Sequence, residues 1–262
     1  MSPATPIITL GEPLIELSSI DSTNIYAISQ VHQQLAVSGS CYRTDFQTDG
    51  KGQQGKTWGS EKGENLLCSY AICLSSIENV LEKGQIWTPR QQFGLSLAIS
   101  LGVNDFFSAF AGEETHIKWP NDLYWRDRKA GGILIENTVR GAEWTWSVIG
   151  IGINMNQTQF SSELGRPVSL KQITGKHWEI PTLLTALSRT LTLRVNEWLK
   201  GDFENMLVEY NQKLYKKNEW VKFKQKQIAF TGKVIGVNAI GQLIIEQGIE
   251  QTYNFGEITW EI

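Results

Sequence analysis

The chain has 262 residues, 41% hydrophobic and 19% charged, with a formal net charge of −3 at pH 7. That length supports one large core, or a core with a small second domain, and the composition is that of an ordinary globular protein. A negative balance argues against a general nucleic-acid binder, which needs a basic field to displace counterions. The opening MSPATPIITLGEP has no basic stretch ahead of an apolar one, so no signal peptide is expected. No apolar run approaches the ~18 residues that a membrane span needs, so none is expected. Cys41, Cys68 and Cys73 are odd in number and fit neither a zinc site nor a redox pair. They read as reduced thiols of a cytoplasmic protein. His32, His116 and His177 lie far apart without companion ligands, which favours surface or core roles over metal binding.

After Asp21 a helix is expected, with Ser22, Thr23 and Asn24 as side-chain caps and Ile25, Ile28, His32 and Leu35 along one face. CYRTDFQ (41–47) alternates like a strand, and NLLCSYAICL (65–74) is apolar enough for a buried one. A helix runs from Gln91 to about Phe107, with Gly94, Leu97, Ala98 and Leu101 on one side. THIKW and ILIENTV read as strands flanking a turn at Trp125–Lys129, and WTWSVIGIGIN follows as a third. Helix 181–200 has Pro181 in its first turn and buries Leu184, Leu187, Leu191, Val195 and Trp198. Helix 202–216 carries Phe203, Met206, Leu207, Tyr210 and Leu214. From residue 218 onward, short β-like pieces separated by Gly or Asn predict a small β-barrel appended to the larger domain. No internal repeat is present.

TDGKGQQGKTWGSEKG (48–63) contains Gly50-x-Gly52-x-x-Gly55, the spacing of a dinucleotide-binding turn. It fails that test, because the strand before it is not a continuous buried run and no helical period follows it. Its glycines can still turn backbone N–H groups toward an anion, and Lys51 and Lys56 add charge. The bland alternative is a surface loop without ligand, with Trp58 in the core. KWPNDLYWRDRKAGGILIE (118–136) has Pro120 fixing a corner that presents Asn121 and Asp122. Lys129 then enters a strand beside Ala130, Gly131 and Gly132, where small residues leave room for a ligand. On charge pattern alone, Lys129 is a solvated lysine at a hairpin end. GIGINMN (150–156) is a glycine-spaced strand able to pass close to a nucleotide.

In order and spacing, DSTN, Q-x-x-G-K-G-x-x-G-K-x-W, KWPND with K-x-G-G-I-L-I-E, and GIGIN resemble the biotin–protein ligases. The resemblance covers essentially the whole chain. It implies an α+β fold: a mixed sheet backed by helices, related to class II aminoacyl-tRNA synthetases, plus an SH3-like C-terminal barrel. The implied division is a catalytic domain over 1–217 and a β-domain over 218–262. It implies Ser22, Thr23, Asn24 and Gln47 at the biotin head group, and Gly50, Lys51, Gly52 and Gln53 in a loop closing over biotin and phosphate. Trp58 and Gly132 line the same pocket. Lys129 is the implied catalytic lysine, supported by Lys51. Gln53, Gln54, Trp58, Asn121 and Asn154 fall on the ATP and adenylate side with Lys51, and Asp122 where Mg²⁺ is handled. The implied substrates are ATP and biotin, and the implied partner is the acceptor lysine of a biotin carboxyl carrier domain. A homodimer is compatible with it; a membrane or DNA partner is not expected.

Two departures qualify this. The family loop is commonly arginine-rich, whereas here Gln53 and Gln54 replace charge with neutral amides, which predicts a looser grip on the adenylate. DSTN begins at residue 21, and about 20 residues cannot hold a helix-turn-helix, so a single-function ligase is expected. The rival readings are a lipoate or octanoate–protein ligase or transferase, and a non-catalytic biotin or nucleotide sensor. A third, stacking of sugars or single strands on the ten tryptophans, is disfavoured by their scatter.

Overall fold

The structure is a computed structural model that describes residues 6–77, 80, 85–161 and 165–261. In chain order its elements are β1 (Leu14–Leu17), α1 (Thr23–His32), β2 (Cys41–Thr44), β3 (Gly50–Lys51), β4 (Thr57–Trp58), β5 (Asn65–Cys73) and α2 (Gln92–Ala111). They continue with β6 (Thr115–Lys118), β7 (Asp122–Trp125), β8 (Arg128–Arg140), β9 (Glu143–Asn154), α3 (Leu170–Thr174), α4 (Ile180–Leu199) and α5 (Phe203–Gln212). The last five are β10 (Trp220–Gln225), β11 (Ile228–Val237), β12 (Leu243–Glu246), β13 (Glu250–Tyr253) and β14 (Thr259–Glu261).

Seven strands form a mixed sheet in the order β1-β2-β5-β9-β8-β7-β6, in which only β1 and β2 run parallel. The side-chain alternation of strands sorts its residues onto two faces. Cys68, Tyr70, Ile72, Ile149, Ile151 and Ile153 point into the main core with α2 and α4. Ala71, Val148 and Tyr42 point the other way, against Ala27 and Val31 of α1. Strand β2, which forms where the alternation predicted a strand, is covered on both sides, with Cys41, Tyr42 and Thr44 buried.

Helix α1 corrects the sequence reading more sharply. Its buried residues are Thr23, Asn24, Ala27 and Val31, whereas Ile25 is exposed and Leu35 lies beyond its end. Ser22 occupies the N-cap but makes no side-chain cap bond; Thr23 and Asn24 turn their polar groups to the sheet. Helix α2 runs four residues past the expected end, and the segment Pro89–Ala111 has the length and apolarity of a membrane span, contrary to expectation. Burial in the core accounts for it: Leu95, Leu97, Ile99, Leu101, Phe106 and Phe107 are all nearly inaccessible. Helix α5 is shorter than read, leaving Leu214 buried in the segment after it, where Ile117 N–H donates to Lys213 O.

The corner at Pro120 and the turn within 125–129 lie where expected, with an additional short strand between them. Residues 119–121 make a tight corner, with a cis Trp119–Pro120 bond, and β7 occupies 122–125 before the hairpin at Arg126–Asp127. The C-terminal strands form an antiparallel sheet in the order β13-β12-β11-β10-β14. It packs on the larger sheet through Trp119, whose indole N–H donates to Gly241 O at 2.9 Å and whose ring meets Phe255 at 6.1 Å. Trp87, Trp144 and Trp198 pack together in the main core. Core packing thus absorbs much of the tryptophan content.

Helices α2, α4 and α5 are joined by ions. Arg194 pairs with Asp105 at 2.6 Å and Glu209 at 2.7 Å, and Lys213 pairs with Asp105 at 2.7 Å. Burial alone would raise the Asp105 carboxyl, but hydrogen bonds from Arg194 and Lys213 outweigh it and hold it below the usual carboxylate range. A folded value depressed in this way stabilises above the ordinary carboxyl range, and the gain is lost as pH falls through the folded value. Asp105→Asn should therefore cost about 1.5–3 kcal/mol at neutral pH. Its deficit against the unsubstituted chain should shrink in acid melts. A deficit independent of pH would assign the loss to packing.

Candidate active site

On the α1 side of the sheet lies a cleft of about 550 Å³, closed above by the β3–β4 hairpin and at one end by the C-terminal sheet. Its floor is β8 and β9 where they carry glycine. A Cβ on Gly152 would stand 2.6 Å from the Trp58 ring, and one on Gly150 would stand 2.5 Å from Asn24 Oδ1. Both contacts are closer than real Cβ atoms allow. The glycine spacing of GIGIN thus exists to let an indole and a carboxamide lie on the strand backbone. Gly132 stands beside Gly152 across the ladder and also faces Trp58.

One end of the cleft is polar and deeply buried. Gln47 Oε1 accepts from Thr23 N–H at 2.8 Å and lies 3.1 Å from Thr23 Oγ. Ser69 Oγ lies 2.8 Å from Thr23 Oγ and 2.9 Å from Asn24 Oδ1. Ser22, Thr23, Asn24 and Ser69 are at most 3% exposed.

The other end is cationic. Lys129 Nζ donates to Asp122 Oδ1 at 2.8 Å, and both side chains are about one-third exposed. Lys51 and Lys56 border the same space, with Lys51 paired to Asp49. Lys118 joins them, its Nζ donating to the Tyr124 hydroxyl at 3.1 Å and lying over the rings of Tyr124 and Trp260. Burial, with the charges of Lys129 and Lys56, pushes the Lys118 ammonium down to about 8, against the pull of Asp122. Burial, reinforced by Asp122, also raises the Tyr124 hydroxyl above its usual range. A Cβ on Gly132 would stand 3.5 Å from Lys129 Nζ, and Gly132 pairs with Gly152, two positions along β9 from the Gly150 that faces Asn24, roughly 7 Å at the rise of a strand.

Of the residues singled out from sequence, Ser22, Thr23, Asn24, Gln47, Lys51, Gly52, Gln53, Gln54, Trp58, Asp122, Lys129, Gly132 and Asn154 border this cleft. Gly50 and Asn121 stand behind it. Gly50 lets the hairpin close, since a Cβ there would meet Trp58 O at 2.4 Å. Asn121 Oδ1 accepts from Gln53 Nε2 at 2.6 Å while its own amide donates to Ile133 O at 3.2 Å. It ties the loop to β8. Asn154 donates to Val168 O at 3.2 Å, so its amide holds the neighbouring chain. Gln54 takes φ +54°, in the left-handed region. Among the described residues no three His, Cys, Asp or Glu side chains group as a metal site.

Sequence reasoning missed Lys118, Tyr124, Ser69 and Trp260. Lys118 opens the KWPND motif, and that was the available signal. Ser69 sits in an apolar run that gave no sign of its role. Trp58 Nε1 and Trp260 Nε1 are buried at the cleft without a hydrogen-bond partner, and an unpaired buried donor is costly unless a ligand completes it.

A cleft with buried amide and hydroxyl groups at one end and converging lysines at the other suits a small acid with a polar head, brought beside a second anion. The chain as a whole is similar to known proteins. The chain is 29% identical over 254 residues to the bifunctional ligase/repressor BirA of Escherichia coli, covering 95% of this chain and 74% of that one. It is 29% identical over 140 residues to the biotin–[acetyl-CoA-carboxylase] ligase of Mycobacterium tuberculosis, covering 52% of this chain and 47% of the other. The biotin protein ligase of Aquifex aeolicus, solved with biotin and ATP, superposes with a TM-score of 0.76 at 25% identity, over 95% of this chain and 99% of that one. Residues 16–154, from β1 to the last residue of β9, match the Biotin/lipoate A/B protein ligase family, and the chain belongs to it.

Proposed function

We infer that the chain is an ATP-dependent biotin–protein ligase, and the observation that carries this is the polarity of the cleft. A cyclic urea has two N–H donors and one carbonyl, and the buried cluster of Thr23, Gln47, Ser69 and Asn24 offers it partners. The disulfide ring of lipoate has no group that can use the remaining donor and acceptor capacity of that cluster.

The reaction brings two anions together. A carboxylate oxygen of biotin attacks the α-phosphorus of ATP, the bond to the bridging oxygen breaks, and pyrophosphate leaves, giving biotinyl-AMP. A lysine amine of the acceptor protein then attacks the acyl carbon, and AMP departs. The first step needs fixed cations and N–H donors in place of a protein nucleophile. Lys129 is our candidate for the charge between carboxylate and α-phosphate, with Asp122 holding its ammonium in place until substrates arrive. Lys118, Lys51 and Lys56 are candidates for the polyphosphate. The β3–β4 hairpin with Trp58 shields the mixed anhydride from water. Asp122 is the one carboxylate bordering the cleft among the described residues. A single carboxylate suits a Mg²⁺ that takes its remaining ligands from phosphates and water. Such an ion, when bound, neutralises phosphate charge.

The acceptor we propose is a biotin carboxyl carrier domain, with the reaction in the cytoplasm where ATP is available. Residues 218–262 act as a separate β-unit that completes the triphosphate end through Phe255 and Trp260, and the active assembly is a monomer or a homodimer. Pyrophosphate exchange into ATP tests the reading. It should depend on biotin and be unmoved by lipoate or octanoate; exchange driven by lipoate would transfer the site to the rival activity. Lys118 supplies a second check. Its charge is lost as pH rises through about 8, so kcat/KM for ATP should fall on that limb. Lys118→Met should lower the plateau and flatten the limb, and an unchanged limb would remove Lys118 from phosphate binding.

A further inference from the structure

Glu136 lies on β8 outside the cleft, exposed on its strand, and its carboxylate Oε2 accepts from Asn24 Nδ2 at 2.5 Å. We propose that Glu136 is a positioning residue that fixes the direction of hydrogen bonding at the polar end, so that Thr23 meets the ligand as an acceptor of an N–H. The inference rests on the reading of the ligand as biotin.

An ionised carboxylate has no donor, so Asn24 must turn its NH₂ to Glu136 and its Oδ1 to Ser69. Ser69 Oγ, 2.9 Å from that oxygen, then donates to it and keeps only lone pairs for Thr23, 2.8 Å away. At the far end Thr23 N–H has to donate, and Gln47 Oε1 receives it at 2.8 Å, which fixes the orientation of that amide too. The hydroxyl proton of Thr23 has two acceptors, Ser69 Oγ and Gln47 Oε1, both within the protein. It is committed inward, and what Thr23 offers the cleft is lone pairs. Asn24 has little freedom to escape this order, because Gly150 lets it press against the β9 backbone. A carboxamide at position 136 removes the constraint. It can donate to Asn24 Oδ1, whereupon Asn24 donates to Ser69, Ser69 donates to Thr23, and a lone pair of Thr23 is consumed.

The experiment uses the full chain and its Glu136→Gln variant, with biotin-dependent pyrophosphate exchange as readout. The substrates are biotin and an analogue in which one ring N–H is replaced by oxygen. Gln is isosteric and residue 136 is exposed, so matching thermal melts are expected. In the variant, KM for biotin should rise about five- to tenfold, the scale of one well-oriented hydrogen bond, with kcat at saturating biotin little changed. The preference for biotin over the analogue should shrink in the variant, because Ser69 then occupies one of the two Thr23 lone pairs available to a ring N–H. Unchanged biotin KM would overturn the proposal. So would equal shifts for both substrates, which would reduce Glu136 to a purely structural contact. No exchange in the unsubstituted chain would overturn the ligase reading, and this inference with it.

Discussion

Replacing Lys129 with alanine should lower the rate of adenylate formation by about a hundred- to a thousandfold, the cost of about 3–4 kcal/mol seen when a preorganised group facing developing charge is removed. The fold should survive. The backbone of Lys129 is held by bonds to Arg166 O and from Val168 N–H, which do not involve the side chain. Its partner Asp122 is about one-third exposed and can be solvated when left alone. Single-turnover measurement of pyrophosphate release, with a thermal melt of the same sample, separates the two effects. Near-normal release would remove Lys129 from the chemistry, and a collapsed melt would show that the Asp122 pair carries the hairpin.

Gly152→Ala should damage binding with little change in stability. The added methyl stands 2.6 Å from the Trp58 ring, so one of the two must move. Strand β9 is central and paired on both sides, whereas Trp58 sits on a two-residue strand whose one partner is the equally short β3. The indole gives way, and the cleft loses its upper wall. Overpacking of this size costs about 1–3 kcal/mol, which should appear as a roughly ten- to hundredfold rise in KM for biotin or ATP. A variant with unaltered KM would show that Trp58 is not part of the wall when substrates are bound. A large drop in melting temperature would show that the sheet, not the hairpin, absorbs the methyl.

The parts of the site legible in the sequence are those whose spacing reflects backbone geometry. Gly150 and Gly152 are separated by the strand period, and the corner at residues 119–121 is marked by proline. Lys129, which borders the cleft, was singled out by the small residues beside it and by its match to the lysine of the family motif. Illegible were the residues whose role is created by the opposite side of the fold. Ile25, Ile28, His32 and Leu35 formed a helical stripe, yet the face that packs carries Thr23 and Asn24, because the sheet beneath it needs polar partners at the cleft. Glu136 looks like any exposed strand glutamate until Asn24 is seen to reach it across 112 positions. The glutamines at 53 and 54 read as lost charge; Gln53 instead spends its amide on Asn121 and on Ile133 O at 3.2 Å. The loop is thereby anchored to β8 through a contact between side chains 68 positions apart, which no local pattern reveals.

The most direct test of the account is a mass measurement on an acceptor. The full chain is incubated with biotin, MgATP and a purified biotin carboxyl carrier domain, and the carrier is then weighed and its modified residue mapped. The account predicts a gain of one biotinyl group on a single carrier lysine, dependent on both biotin and ATP and lost with Lys129→Ala. A carrier of unchanged mass, although the chain binds biotin, would contradict it and leave a sensor in place of a ligase.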